Sequence, residues 1–399
     1  IRFAHDALFY LLSIVLTAAI RLKRKTMNSN VHPLVAALVI VMAIVALGIW
    51  TRGSGAAANI GGPSELRIDP DGHLYIQIGN RLIEHDSDGA FLRIHDLGDL
   101  GVDLFLGSFG FFSNGDILLR RGPDPRSLLD NIRAFQRKTN QQSLAADTPD
   151  TGMYRCDLET NTCNVFGAEA IDFKAAHGIF IDWQTNDVYI ADTTRHVLRK
   201  YAEDGAVLAG PIGGFKFPNQ LMLFDKMLLV ADTNNHVIRM VDAGIGSFGD
   251  DQGRADVVSA EARGARQTWP SHFARVGDEW WVNNMRNNMA EGGLYIFDDD
   301  WQYLRKAELP RNADPIALVA FADAVLVTDW NNDRVYRIAT NGERLADFES
   351  AGLQGLVAAA QEARQRYETY KYLGVLLFAL VFGGVLVRGL AASMSTQRR

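Results

Sequence analysis

Glu65, His177 and His272 supply one carboxylate and two imidazoles. That donor set suits Zn²⁺ or a similar divalent ion. Cys156 and Cys163 are the only cysteines, and they lie in MYRCDLETNTCNVF, a strand–turn–strand pattern. With the turn near Glu159-Thr160, the two sulfurs face each other across the hairpin, near the separation a disulfide requires. Two buried free thiols are the alternative. Two cysteines are too few for a disulfide framework or a four-cysteine zinc site. No G-x-S-x-G, P-loop, H-E-x-x-H or G-x-G-x-x-G run stands in a fitting context. Any reactive centre must therefore be assembled from distant residues, as a repeated architecture can do.

Such a repeat is present. LRIDPDGHLYI (66–76), FGFFSNGDILL (109–119), IFIDWQTNDVYI (179–190), LMLFDKMLLV (221–230), FARVGDEWWV (273–282) and LVAFADAVLV (318–327) each read as strand, polar turn and strand. Their starts are 43, 70, 42, 52 and 45 residues apart. Four short strands with tight turns need roughly 40–45 residues, the period of a propeller blade. Six copies predict an all-β, six-bladed β-propeller over residues 61–350, with inserts in blade 2 and between blades 4 and 5. Length alone, at ~150 residues per domain, would suggest two or three domains; the repeat replaces that estimate with one closed domain.

In a propeller, the residues just before the innermost strand ring the channel mouth. Aligning the blades gives one ring at Glu65, Ser108, Gly178, Gln220, His272 and Ala317. The preceding position gives Ser64, Gly107, His177, Asn219, Ser271 and Ile316. Glu65, Ser108, His177, Asn219, Gln220 and His272 are the ligand-binding candidates. Glu65, His177 and His272 come from blades 1, 3 and 5 and approximate threefold symmetry, as a metal site would; a hydrogen-bonded, water-filled channel is the alternative. Asp192, Asp232 and Asp329 stand where the second strand turns into the third, where a carboxylate accepts backbone N–H groups in an Asx-type turn. His196 and His236 share one repeat position and read as packing residues. Trp269, Trp280, Trp281 and Trp301 read as inter-blade packing. In the blade 2 insert, 121–151, residues 127–139 read as a short amphipathic helix that lids the blade or docks a partner.

The ends are apolar. Residues 34–51 carry no charge; at 1.5 Å per residue they reach ~27 Å, close to the ~30 Å hydrocarbon core. The run exceeds the h-region of a signal peptide and reads as an uncleaved anchor. Residues 351–371 predict a juxtamembrane helix that continues into a second span at 372–390, where Arg388 snorkels. Residues 1–26 read as an upstream extension or a short apolar segment. Arg21, Lys23, Arg24 and Lys25 before the first span put that side in the cytoplasm and the propeller outside. The expectation is the cytoplasmic (inner) membrane of a bacterium, with the lipid bilayer as one partner. The net charge of −7, without a basic run in the middle, argues against nucleic acid. The composition, 22% charged and 10% aromatic, excludes disorder.

Ala191-Asp192-Thr193-Thr194-Arg195-His196-Val197-Leu198-Arg199 matches Ala231-Asp232-Thr233-Asn234-Asn235-His236-Val237-Ile238-Arg239, and Thr328-Asp329-Trp330-Asn331-Asn332-Asp333-Arg334-Val335 is a looser copy. These runs resemble the NHL-repeat family, which implies a six-bladed β-propeller. The Gly/Asp-rich stretch 244–270 also resembles the link between NHL blades. Related gluconolactonase-like propellers hold a divalent ion with one Glu, two Asn and one Asp. By that resemblance Glu65 and Asn219 fit, His177 replaces an Asn, and Ser271 replaces the Asp. Losing the Asp removes the acid–base group. The amidating lyases use three His on zinc; His177 and His272 are two, and no third follows. The resulting expectation is a membrane-tethered, extracytoplasmic NHL-type propeller that binds a protein, peptide or glycan and needs no cofactor. A metal-dependent hydrolase or lyase built on the channel is the alternative.

Overall fold

A computed structural model describes residues 33–102, 107–121, 152–167, 177–257, 268–286 and 290–396. Segment 1–26 and the helix expected at 127–139 lie outside them. Six antiparallel sheets follow one another in sequence. Blade 1 is β1 (Leu66–Ile68), β2 (Leu74–Ile78), β3 (Arg81–His85) and β4 (Phe91–Asp96). Blade 2 is β5 (Gly110–Phe111), β6 (Ile117–Arg121), β7 (Gly152–Asp157) and β8 (Thr162–Val165). Blade 3 is β9 (His177–Ile181), β10 (Val188–Asp192), β11 (Val197–Tyr201) and β12 (Val207–Ile212). Blade 4 is β13 (Pro218–Phe224), β14 (Met227–Asp232), β15 (Val237–Asp242) and β16 (Asp251–Ala255). Blade 5 is β17 (Trp269–Val276), β18 (Glu279–Met285), β19 (Gly292–Phe297) and β20 (Tyr303–Lys306). Blade 6 is β21 (Pro315–Phe321), β22 (Ala324–Asp329) and β23 (Arg334–Ala339). The fold is therefore the six-bladed all-β propeller expected from the repeat.

Burial explains the residue pattern. The second strands β2, β10 and β22 are buried at every position, and β6, β14 and β18 at all but one end residue, because neighbouring blades cover both faces. Continuous apolar runs suit such strands. The fourth strands alternate or lie open, as β4 and β20 do. The core is six wedges, one at each blade interface. Trp281 and Leu318 meet between blades 5 and 6, and Leu66 and Leu326 between blades 6 and 1. Truncating one such side chain to Ala costs about 2–5 kcal/mol.

Blade 1 uses four consecutive strands, so no strand is exchanged to close the ring. Blade 6 ends instead in a bridge between Ile338 and Arg344. Backbone bonds from Leu345 N to Arg337 O (2.9 Å) and Phe348 N to Val335 O (2.8 Å) extend it. The ring closes by side-chain packing and by Thr328 Oγ1 donating to Ser64 O at 2.7 Å.

The link at 244–270 differs from the expectation in one respect: part of it is strand β16. Asp242 Oδ1 accepts from Gly244 N and Ser247 Oγ, both at 2.7 Å. This folds GIGSFG into a tight loop that returns Asp251–Ala255 to pair with β15.

Residues 60–362 form the propeller unit; residues 33–59 and 363–396 form a helical unit. The latter contains α1 (Pro33–Asn59) and the later part of α2 (Ala351–Thr396), a single 46-residue helix. Within it, a Cβ on Gly374 would fall 2.7 Å from Trp50 N, and one on Gly53 would fall 2.7 Å from Lys371 N. The two glycines let the backbones touch. Among the described residues no helix is long and apolar enough to cross a membrane.

Candidate channel-mouth site

The ring residues sit at the starts of the innermost strands. Glu65 and Ser108 precede β1 and β5, and His177 opens β9. The sequence expectation placed Asn219-Gln220, Ser271-His272 and Ile316-Ala317 before their strands; they lie inside them. Register shifts between Pro218 and Leu221, Pro270 and His272, and Pro315 and Leu318 put Asn219-Gln220, Ser271 and Ile316-Ala317 in bulges, while His272 pairs with Asn283. A bulge inserts an unpaired residue and re-aims side chains. It does not disturb the apolar alternation further along the strand, so it left no mark in the sequence.

The three prolines share one repeat position. Pro218 and Pro315 open their strands and Pro270 is second in its own; proline is tolerated at a strand's start and at bulges. The preceding blade uses the carbonyls there: Thr193 Oγ1 donates to Pro218 O and Thr233 Oγ1 to Pro270 O, each at 2.7 Å. Asn283 Nδ2 donates to Pro315 O at 2.5 Å. The recurrence of proline one residue before the ring was a readable signal for these ties.

The residue that sequence reasoning missed is Arg67. It lies two residues after Glu65, on the same face of the strand, as period-2 geometry requires. Its Nη1 is 3.0 Å from Glu65 Oε2. Its Nη2 donates to Ser108 Oγ at 2.5 Å and its Nε to Phe109 O at 2.9 Å. Arg67 thus joins blade 1 to blade 2 and neutralises the one carboxylate of the ring. Burial raises the Glu65 carboxyl above its usual range, outweighing the Arg67 charge and the Ser108 hydrogen bond. His272 is pushed down to about 3, first by burial and then by the positive Arg67. Its imidazole is therefore neutral at ordinary pH, and its Nδ1 has no hydrogen-bond partner.

The remaining ring residues hold the fold. Gln220 Oε1 accepts from Phe273 N at 2.5 Å, joining blades 4 and 5. Asn219 Nδ2 donates to Thr233 Oγ1 at 2.5 Å. Ser271 Oγ accepts from Asn283 Nδ2 at 2.9 Å. The His177 ring lies over Gly107, whose φ is +81°; a Cβ there would fall 2.1 Å from the imidazole Cε1. Any other residue at 107 would displace the ring.

Among the described residues no group of three or more His, Cys, Asp or Glu side chains is arranged to hold a metal. Arg67 stands in an ion pair with Glu65, and its charge reaches His272. Asn219 and Ser271, the lactonase-like positions, are tied to Thr233 and Asn283.

His196 and His236 serve turns. Both adopt left-handed backbone, with φ of 63° and 68°. His196 Nδ1 accepts from Phe217 N, and His236 Nδ1 lies 2.7 Å from Thr268 O. Trp280 stacks on Trp301 at 4.8 Å, and Trp269 meets His236 edge-on. Cys156 and Cys163 are paired across β7 and β8 and their sulfurs are bonded, in the outer hairpin of blade 2.

No family model matches the chain, and no curated protein matches it by sequence. Among solved structures, virginiamycin B lyase from Staphylococcus aureus, with quinupristin, is similar at 16% identity and a TM-score of 0.46, over 72% of this chain and 84% of that one. A protein assigned provisionally as a gluconolactonase is similar at 12% identity and a TM-score of 0.49, over 72% and 91%. A chain of a nidogen/laminin complex is similar at 11% identity and a TM-score of 0.46, over 73% and 93%. At these values the likenesses carry no argument about activity.

Proposed function

We propose that the chain is a membrane-tethered, extracytoplasmic NHL-type propeller acting as a binding scaffold for a protein, peptide or glycan. The observation that carries the scaffold reading is the use of the channel-mouth side chains. Arg67 holds Glu65 and Ser108, while Gln220 and Asn219 bond to Phe273 and Thr233. A ring spent on internal contacts, those of Arg67 with Ser108 and Gln220 with Phe273 crossing between blades, stiffens a platform and leaves few groups for acid–base work. The tether rests on the helical unit. Ile40, Ile44 and Val45 of α1, and Leu373, Leu376 and Leu380 of α2, are exposed. That much apolar surface is costly in water and natural in lipid.

The second reading is a metal-dependent hydrolase or lyase. It is favoured by His272, whose neutral imidazole has an unpartnered Nδ1. The residues that would serve it are Glu65, His177, Asn219 and His272. One assay separates the two: lactone and ester hydrolysis by the full chain, with and without added divalent metal. The scaffold reading expects no turnover above background. Metal-dependent turnover that Glu65→Gln and His272→Ala abolish, with both variants folded, would overturn it. For the tether, the chain is expected to stay with membranes through alkaline carbonate washing, and a reporter fused after Arg399 is expected on the cytoplasmic side. Release by carbonate would sink the anchor.

A further inference from the structure

The junction of blades 5 and 6 holds buried acceptors with nothing to accept from. Gly292 N donates to Ala313 O at 2.9 Å and brings Glu291 beside the corner 313–315. Asp314 is 7% exposed; its N donates to Asp329 Oδ1 at 3.1 Å, yet its own Oδ1 has no hydrogen-bond partner. Asn283 is 1% exposed. Its Nδ2 is committed to Ser271 Oγ and Pro315 O, and its Oδ1 is unpartnered. That oxygen points at Gly292, 2.8 Å from where a Cβ would sit, with Pro315 Cδ 3.2 Å from the same point. Any side chain at 292 would displace it.

The surrounding charge is negative. Asp329 spends Oδ1 on Asp314 N, Asn331 N and Asn332 N, and Oδ2 on Asn332 Nδ2 and Tyr336 OH. It adds field but no free ligand. Glu291 Oε2 is bound by Arg286, and the Glu291 side chain is 32% exposed, which leaves a path from solvent. Unpartnered buried acceptors are costly, and a group of acceptors without donors is what a hard cation completes.

We propose that Asp314, Glu291 and the Asn283 amide oxygen form a site for a hard divalent cation at the blade 5–blade 6 junction. Ca²⁺ is the fitting ion because it accepts irregular cages of carboxylate, amide and water oxygen, whereas Mg²⁺ demands a near-ideal octahedron. The site is separate from the channel mouth, since Arg67, Glu65 and His272 take no part in it. Its role would be to lock blade 6 to blade 5.

The test uses the purified full chain, stripped with EDTA and titrated with CaCl₂ by calorimetry and thermal melting. KCl at matched ionic strength is the control. One Ca²⁺ per chain is expected, with a rise of ~2–5 °C in melting temperature at saturation. Asp314→Asn and Glu291→Gln are each expected to weaken binding at least ~10-fold, the scale on which ligand charge sets affinity in such sites. Glu65→Gln should leave it unchanged. The proposal is overturned by no Ca²⁺-specific rise, by an equal rise in both junction variants, or by loss of the rise in Glu65→Gln alone, which would place the ion in the channel.

Discussion

Asp232 in blade 4 and Glu84 in blade 1 are both buried carboxylates at the centre of a blade's hydrogen bonding, yet they titrate in opposite directions. Asp232 accepts from Lys216 N at 2.7 Å and Asn235 Nδ2 at 2.8 Å. Burial outweighs these neutral donors, and its carboxyl is raised. Glu84 is also buried, but its donors are His95, Arg93 and His73, at 2.7, 2.7 and 3.0 Å. Burial alone would raise it; these bonds and the Arg93 charge bring it down to about 2. Neutral amides complete a turn without reversing the cost of burying a charge. A cationic partner reverses it. The turn in blades 4 and 6 uses backbone, amide and hydroxyl donors, its blade 3 copy adds the Arg195 guanidinium on Asp192, and blade 1 fastens itself to blade 2 through charge, with Arg93 reaching Glu159.

The largest expected effect is at the most heavily used amide hub. Asp329→Ala orphans three backbone N–H groups and the Tyr336 hydroxyl. It should cost about 3–5 kcal/mol in chemical denaturation. A loss below ~1 kcal/mol would show that neighbouring groups or water replace the hub.

Glu84→Gln should cost about 2–3 kcal/mol at neutral pH, discounted because Arg93 is half-exposed. The sign follows from the lowered carboxyl. Stability from Glu84 is fully present above its ordinary value of 4.5 and is lost as pH falls towards about 2. The variant's stability curve should converge on wild type across that window; curves that stay parallel would remove Glu84 from the acid response.

Asp232→Asn sharpens the contrast. Asn keeps an acceptor for Lys216 N and removes the charge. Because the folded-state carboxyl is raised, its stabilising contribution is present below the ordinary value and lost as pH rises through the folded one. The variant should cost less than ~1 kcal/mol at neutral pH and lack that decline. A cost equal to that of Glu84→Gln would erase the distinction between the two hubs. The smallest effect belongs to the exposed pair of Arg337 and Asp323: Arg337→Ala should change stability by ~0.5 kcal/mol or less.

Much of the fold was legible in the residues. Six strand–turn–strand segments at blade spacing gave the architecture, and the Asp192 and Asp232 runs marked the turn where Asx bonding occurs. The site was legible only in part. Glu65, Gln220 and His272 could be placed near one ring by alignment, but their partners could not. The Arg67 side chain reaches across to blade 2, and no repeat position announces a cross-blade bond. The proline recurrence was visible, but its meaning depends on carbonyls accepting from Thr193, Thr233 and Asn283. Strand β16 was hidden because Asp251–Ala255 is polar and Gly-bearing, and only the Asp242 loop makes it pair.

By itself, the sequence determined the number of blades, the apolar character of the inner strands, the cysteine hairpin and the two charge-free ends, because each is a matter of period, spacing or composition along the chain. The tertiary structure alone decided what the channel-mouth groups do. Whether a carboxylate meets a guanidinium, an amide or nothing depends on which blade stands beside it. Ring closure brings residues of blades 1, 2 and 5 within reach of Arg67, and those of blades 5 and 6 around Gly292. Electrostatics and hydrogen bonding act over a few ångströms of space, and sequence distance does not report that separation.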